Sequence, residues 1–191
     1  MRLILASASP RRLDLLAQIG VKPDRVVAAE IDETRGKGEA IRAYARRMAL
    51  EKARKISRLQ EDPDTAVLAA DTVVSAGRRI LGKPESRHEA AQFLNILAGR
   101  RHRVITAIAV VASGQEICRD VLTTLRFLNL SAAEIEAYLD SGEWQDKAGG
   151  YAIQGRAAAF TPWIQGSHSA VVGLPLAETA RLLARFGIVG S

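Results

Sequence analysis

The chain has 191 residues, 48% of them hydrophobic, which is enough to bury a sizeable core and too apolar for global disorder. Its formal charge of +6 favours anionic partners: phosphates, nucleotides or nucleic acid. The one cysteine, Cys118, excludes an intrachain disulfide and suits a reducing cytoplasm, and no apolar stretch approaches the roughly 18 residues of a membrane span.

Leu3 to Ala6 reads as a short buried strand. Ser9 can cap the helix that follows, with Pro10 in its first position and Gly20 closing it. Val26 to Ile31 reads as a second strand. Glu39 to about Arg58 reads as a long helix, with Ile41, Ala45, Met48 and Ala49 on one side and arginines on the other. Thr65 to Ala70 is an apolar run suited to a central strand, continued by Val73 and Val74, and Ala76-Gly77 can turn it back. Ser86 and Glu89 form a capping-box pattern for a helix ending near Gly99. His102–Ala112 and Ile117–Phe127 read as two long strands around a Ser113-Gly114 turn. Ser131 and Glu134 repeat the capping box for a helix to Leu139. A glycine-bearing polar segment spans Gly142 to Gly155. Residues 157–164 read as strand, Gly166–Gly173 as loop and Pro175–Phe186 as a final helix.

Helices mixed with neighbouring and separated strands give an α/β or α+β class with a mixed sheet and flanking helices. No linker cuts the chain, so residues 1–191 read as a single domain, and any second lobe shares its core. There is no P-loop, no Cys/His cluster for zinc and no serine-nucleophile elbow. Aromatics are only 5%, and no basic stripe interleaved with them argues for nucleic acid.

Five places can carry chemistry. Ser7-Ala8-Ser9-Pro10-Arg11-Arg12 runs from a strand into a helix start, where free N–H groups and the dipole attract anions. Arg11 and Arg12 oppose that dipole, so a phosphate is the natural source of the missing negative charge; a capped helix with two solvated arginines is the other reading. Asp71 ends an apolar strand, where an ionised carboxylate is costly unless it is paired or bound to metal, and Thr72 follows it. Asp71 can hold a divalent ion, accept a proton from water, or bond nearby backbone in a turn. Asp32-Glu33 offers two more carboxylates, either as Mg²⁺ ligands or as a solvated turn. Lysines number six against twenty-one arginines, so Lys52, Lys83 and Lys147 mark places where a compact point charge suits a phosphate, or else ordinary surface. Gln154, in Gly149-Gly150-Tyr151-Ala152-Ile153-Gln154-Gly155, carries an amide able to read a base edge, or lies in a plain strand entry.

Taken in order, Ser7–Arg12, Asp32-Glu33, Glu51-Lys52-Ala53, Ala70–Val74, Gly82-Lys83-Pro84, Asp146–Gly155 and Val172–Leu176 resemble the Maf-type nucleoside triphosphate pyrophosphatases. The resemblance implies a fold like that of the inosine triphosphate pyrophosphatases, with two lobes around a cleft. It implies release of pyrophosphate from a nucleoside triphosphate, with Mg²⁺ or Mn²⁺ as cofactor. Asp71, Lys52 and Lys83 are the implied catalytic residues. Ser7, Ser9, Arg11, Arg12, Thr72, Lys147 and Gln154 are the implied substrate contacts, and Glu33 and Asp71 the metal ligands. Asp71 matches the proton acceptor, and Arg12, Thr72 and Gln154 match positions that tune base preference. The Lys147–Gly155 run looks like the branch acting on dTTP and UTP. The resemblance also implies a homodimer, while the single thiol points to a cytoplasmic setting and the residues themselves to neither a stable nucleic-acid complex nor a membrane partner. Two rival expectations are a pool-cleaning activity on modified nucleotides and a non-catalytic, nucleotide- or nucleic-acid-binding regulator of cell division.

Overall fold

A computed structural model describes residues 1–190. Its strands are β1 (Arg2–Ala6), β2 (Arg25–Val27), β3 (Thr65–Ala76), β4 (Arg79–Leu81), β5 (Arg101–Ala112), β6 (Gln115–Arg126) and β7 (Trp163–Gln165). Its helices are α1 (Pro10–Gln18), α2 (Ile41–Ser57), α3 (Arg87–Leu97), α4 (Ala132–Asp140), α5 (His168–Val172) and α6 (Leu176–Ala184), with 3₁₀ turns at Ala148–Gly150 and Arg156–Phe160. The sheet runs β2-β1-β3-β5-β6-β7, and β4 folds back on β3. β1 is parallel to β2 and β3, whereas β3–β4 and β6–β7 are antiparallel, so the mixed α/β class holds.

The chain divides into two compact units. The first comprises Met1–Asp71, Thr106–Val121 and residues 173–190. Its centre is β1 paired in register with β3, Leu3 opposite Ala66 and Ala6 opposite Ala69. Residues 66–71 of β3 are all buried, which is why the strand reads as one apolar run rather than an alternation. Helix α2 buries Ala45, Met48, Ala49, Ala53 and Ile56 along one stripe and lies against β1. Three alanines in that stripe let the helix backbone approach the sheet closely.

The arginines on the other side of α2 are not merely solvated. Arg46 donates to Asp120 at 2.7 Å, and Arg54 makes a two-pronged pair with Glu116 at 2.8 and 2.6 Å.

The second unit comprises Thr72–Ile105 and Leu122–Val172. Phe93, Leu94 and Leu97 of α3 and Ile135, Tyr138 and Leu139 of α4 share one core with Val74, Leu81, Val104, Leu125 and Tyr151. Helix α4 starts with the full capping box foreseen at Ser131 and Glu134. At α3 only half of it forms: Ser86 accepts from the Glu89 N–H at 3.1 Å, while the Glu89 carboxylate accepts from the Glu85 N–H at 2.8 Å.

Three expectations are corrected. The second strand stops at Val27, because Ala28–Ile31 have no partner strand and run into a loop reaching α2. Residues 157–164 are not one strand: Arg156–Phe160 form a 3₁₀ helix and only Trp163–Gln165 pair with β6. Its run of three alanines lacks the branched side chains that favour a pleated sheet. The loop at 166–173 contains α5, whose entry Ser167 prepares by accepting from the Ala170 N–H at 3.2 Å. No helix among the described residues is long and apolar enough to cross a membrane.

Candidate functional site

Seven of the expected site residues lie in the first unit: Ser7, Ser9, Arg11, Arg12, Glu33, Lys52 and Asp71. Ser9 takes the N-cap position of α1 in extended conformation with Pro10 after it, but its side chain makes no cap bond, contrary to the sequence expectation. The hydroxyl that works here belongs to Ser7. Its Oγ accepts from the Ser9 N–H at 3.1 Å and from Arg12 Nη1 at 3.1 Å. Arg12 also donates through Nε to the Gly173 carbonyl at 2.9 Å. Two bonds from one planar guanidinium fix its direction.

No acid sits in the first turn of α1, and burial pulls the Arg12 guanidinium down to about 10. The carboxylates of Asp71 and Glu33 oppose that shift, while the neighbouring Arg11 adds to it. Arg12 thus lies within electrostatic reach of Asp71, Glu33 and Arg11.

Asp71 is buried in β3, and Lys52 reaches it from α2 at 2.6 Å. The same Lys52 ammonium binds Glu33 Oε1 at 2.8 Å. The acidic pair thus splits: Glu33 turns to Lys52, while Asp32 accepts from the Thr34 N–H at 2.8 Å and stays exposed. The Thr34 side chain first, and then this backbone N–H, hold the Asp32 carboxyl below its usual range by hydrogen bonding.

Side chains with no assigned role in the sequence reading hold Glu33 in place. Tyr44 donates its hydroxyl to the Glu33 carbonyl at 2.8 Å, and Arg47 binds the Thr34 carbonyl at 3.1 Å and Glu39 at 2.8 Å. Lys55 donates to the Glu30 carbonyl. Tyr44, Arg47, Lys52 and Lys55 recur at helical spacing, so the polar stripe of α2 was a readable signal for what holds this loop. Burial pushes the Tyr44 phenol up, and the carboxylates of Asp71 and Glu33 push it the same way.

Asp71 Oδ1 and Glu33 Oε1 converge on a single point, the Lys52 ammonium. Both are hard oxygen donors of the type Mg²⁺ or Mn²⁺ takes, and Mg²⁺ commonly uses one or two carboxylates with water and substrate oxygens. No group of three or more His, Cys, Asp or Glu forms a metal cluster among the described residues. The donor set fits an ion that arrives with phosphate oxygens rather than one caged by protein alone.

Thr72, Lys83, Lys147 and Gln154 belong to the second unit. Lys83 is exposed between Gly82 and the buried Pro84, and the Gly82 carbonyl accepts from the Gly149 N–H at 2.9 Å. Lys147 donates to the Gln145 carbonyl at 2.8 Å. Gln154 is exposed within a turn closed by Gly155 N–H to Ala152 carbonyl at 3.0 Å. Gly149 holds φ at +76°, and a Cβ there would stand 2.9 Å from Val74 Cγ1. Gly149→Ala should therefore lower unfolding free energy by about 1–3 kcal/mol, read by urea denaturation.

The family described as Maf-like protein matches residues 2–186. The dTTP/UTP pyrophosphatase of Roseobacter denitrificans is 57% identical over 188 residues, covering 98% of each chain. That of Cereibacter sphaeroides is 55% identical, covering 98% of this chain and 96% of its own. Among solved structures, the Staphylococcus aureus Ham1 protein aligns with a TM-score of 0.48 at 14% identity, covering 68% of this chain and 73% of that one. With a family match over nearly its whole length and full-length relatives above half identity, the chain belongs to the Maf family.

Proposed function

We propose that this chain is a nucleoside triphosphate pyrophosphatase that hydrolyses dTTP and UTP to the monophosphate and pyrophosphate. Support comes from the relatives of that name and from one observation above all: Lys52 joining Asp71 and Glu33 in the unit that holds Arg12. Three cations and two carboxylates in that unit suit a polyphosphate, with surplus positive charge for the tail and acidic oxygens for water.

In this reading Arg11 and Arg12, at the start of α1, bind the phosphate tail. The Ser7 hydroxyl and Gly173 carbonyl keep Arg12 aimed, so little reorganisation is needed when charge builds on the leaving pyrophosphate. Asp71 orients the attacking water and takes its proton as the α phosphorus is attacked. Lys52, released from its two carboxylates, binds the tail as a point charge. Asp71 and Glu33 would hold the divalent ion, which when bound neutralises phosphate charge and lowers the barrier to attack. Lys83, Lys147, Ser9 and Thr72 keep the substrate-binding and catalytic roles that the family resemblance implies for them. The single thiol suits a cytoplasmic setting, and the same resemblance carries a homodimer, testable by light scattering.

Base choice falls to Gln154, whose amide offers both donor and acceptor. The experiment is pyrophosphate release across a nucleotide panel with Mg²⁺. The chain should prefer dTTP and UTP, and Gln154→Ala should reduce that preference by about 5- to 100-fold, the worth of one hydrogen-bonding partner in a closed site. A flat profile for the native chain would reject the assigned substrates.

A further inference from the structure

Gln154 is exposed, yet the backbone on either side of it is tied down by buried or half-buried side chains. Before it, the Ala152 N–H donates to the Tyr138 hydroxyl at 3.0 Å in a buried bond. The preceding Tyr151 places its hydroxyl 2.7 Å from His102 Nε2, also buried. After it, the Arg156 N–H donates to Glu143 Oε2 at 2.8 Å. Gly155 leaves the space that this carboxylate fills, since a Cβ there would overlap Glu143.

Two of these ties come from the C-terminal end of α4. Tyr138 lies in its last turn, and Glu143 follows three residues after the helix ends. That end is itself braced. Ser141 Oγ donates to the Tyr138 carbonyl at 2.6 Å and accepts from the Glu143 N–H at 3.2 Å, and Trp144 Nε1 donates to the Leu139 carbonyl at 3.1 Å. A turn that only connected two segments would not need anchors on both flanks. A turn presenting an amide to a ligand does, because a glutamine offers its donor and its acceptor side by side, and a shift of the backbone that carries it misaligns both from the edge they must meet.

We propose that Tyr138 and Glu143 are positioning residues for base selection: through the Ala152 and Arg156 amides they fix the turn that aims the Gln154 side chain. His102 completes the mount through Tyr151. The inference rests on the reading of Gln154 as the base contact, and it assigns specificity to side chains that never touch the nucleotide.

The test compares kcat and KM for UTP, dTTP and GTP in Tyr138→Phe, Glu143→Ala, Glu143→Gln and Gln154→Ala. Tyr138→Phe and Glu143→Ala should each raise KM for UTP and dTTP by about 3- to 10-fold with a smaller change in kcat, the signature of lost binding rather than lost chemistry. The preference over GTP should narrow. Glu143→Gln keeps an acceptor for the Arg156 amide and should recover most of what Glu143→Ala loses, which a general loss of packing would not. In the Gln154→Ala background, Tyr138→Phe should change the substrate ranking no further, because both act through one side chain. If Gln154→Ala erases the preference while Tyr138→Phe and Glu143→Ala, folded by circular dichroism, leave it intact, the positioning role is wrong and the base contact stands. If Gln154→Ala itself leaves the ranking unchanged, the underlying reading falls and this inference with it.

Discussion

Asp71→Asn should slow pyrophosphate release from dTTP by at least about 100-fold, the lower range for loss of a general base. The substitution keeps the shape of a buried side chain and removes its charge. Asparagine cannot take the proton of the attacking water. It also removes the negative charge that Lys52 meets at 2.6 Å, leaving Glu33 as the remaining carboxylate on that ammonium. Because Asp71 is buried in β3, the fold should be checked alongside the rate, and an amide that still accepts from Lys52 preserves the packing. The loss should appear in kcat, with KM moving less, if Arg11, Arg12 and Lys52 hold the phosphate tail as proposed. Turnover within a few-fold of the native enzyme would remove Asp71 from the chemistry.

Acid should destabilise the second unit through His102, by an amount separable from the carboxylates. This ring is 1% exposed, bonded to Tyr151 through Nε2 and edge-on to Phe127 at 4.9 Å. Its Nδ1 has no hydrogen-bond partner among the described residues. Burial pulls its pKa from 6.5 down to about 4, so the neutral form is the folded form. The unfolded chain takes up a proton near 6.5 and the folded chain only near 4, so stability falls as pH drops through that window. The full effect is on the order of 3 kcal/mol, present above the window and gone below it. His102→Gln keeps a partner for the Tyr151 hydroxyl and removes the titration. Its unfolding free energy should fall less steeply between pH 6.5 and pH 4 than that of the native chain, as read by urea melts at several pH values. Parallel slopes would show that His102 does not resist protonation.

Elements governed by local rules were legible in the sequence. The apolar spacing of α2, the unbroken apolar run of β3, the Ser113-Gly114 turn and the Ser131–Glu134 box each carry their own signal within a few residues. Ser113 and Gly114 both adopt positive φ, as a two-residue hairpin turn of this twist requires. Contacts between distant segments were not legible. Nothing in the residues around Glu33 says that Tyr44 will hold its carbonyl, and nothing near Arg12 says that Gly173 will receive it, 161 positions away. Residues 157–164 failed for a different reason. Their apolar character fits several local structures, and the buried Ala157 decides for a 3₁₀ turn by packing in the core around Phe127.

The charged residues divide in the same way. Asp71, expected at the end of an apolar strand, lies inside β3; it stood out because a carboxylate directly after an apolar run is expensive without a partner, and Lys52 stood out as one of few lysines. Their pairing follows from α2 crossing β1 beside β3, which depends on the order of the whole sheet. The pair Asp32-Glu33 shows the limit of spacing as a guide. Adjacent and chemically alike, one closes its own turn and the other reaches Lys52.

Hydrolysis of dTTP in oxygen-18 water tests the central claim most directly, because it reports which phosphorus the water attacks. Water directed by Asp71 onto the α phosphorus places one labelled oxygen in the thymidine monophosphate and none in the pyrophosphate. Label in the pyrophosphate, or inorganic phosphate as the first product, would contradict the account.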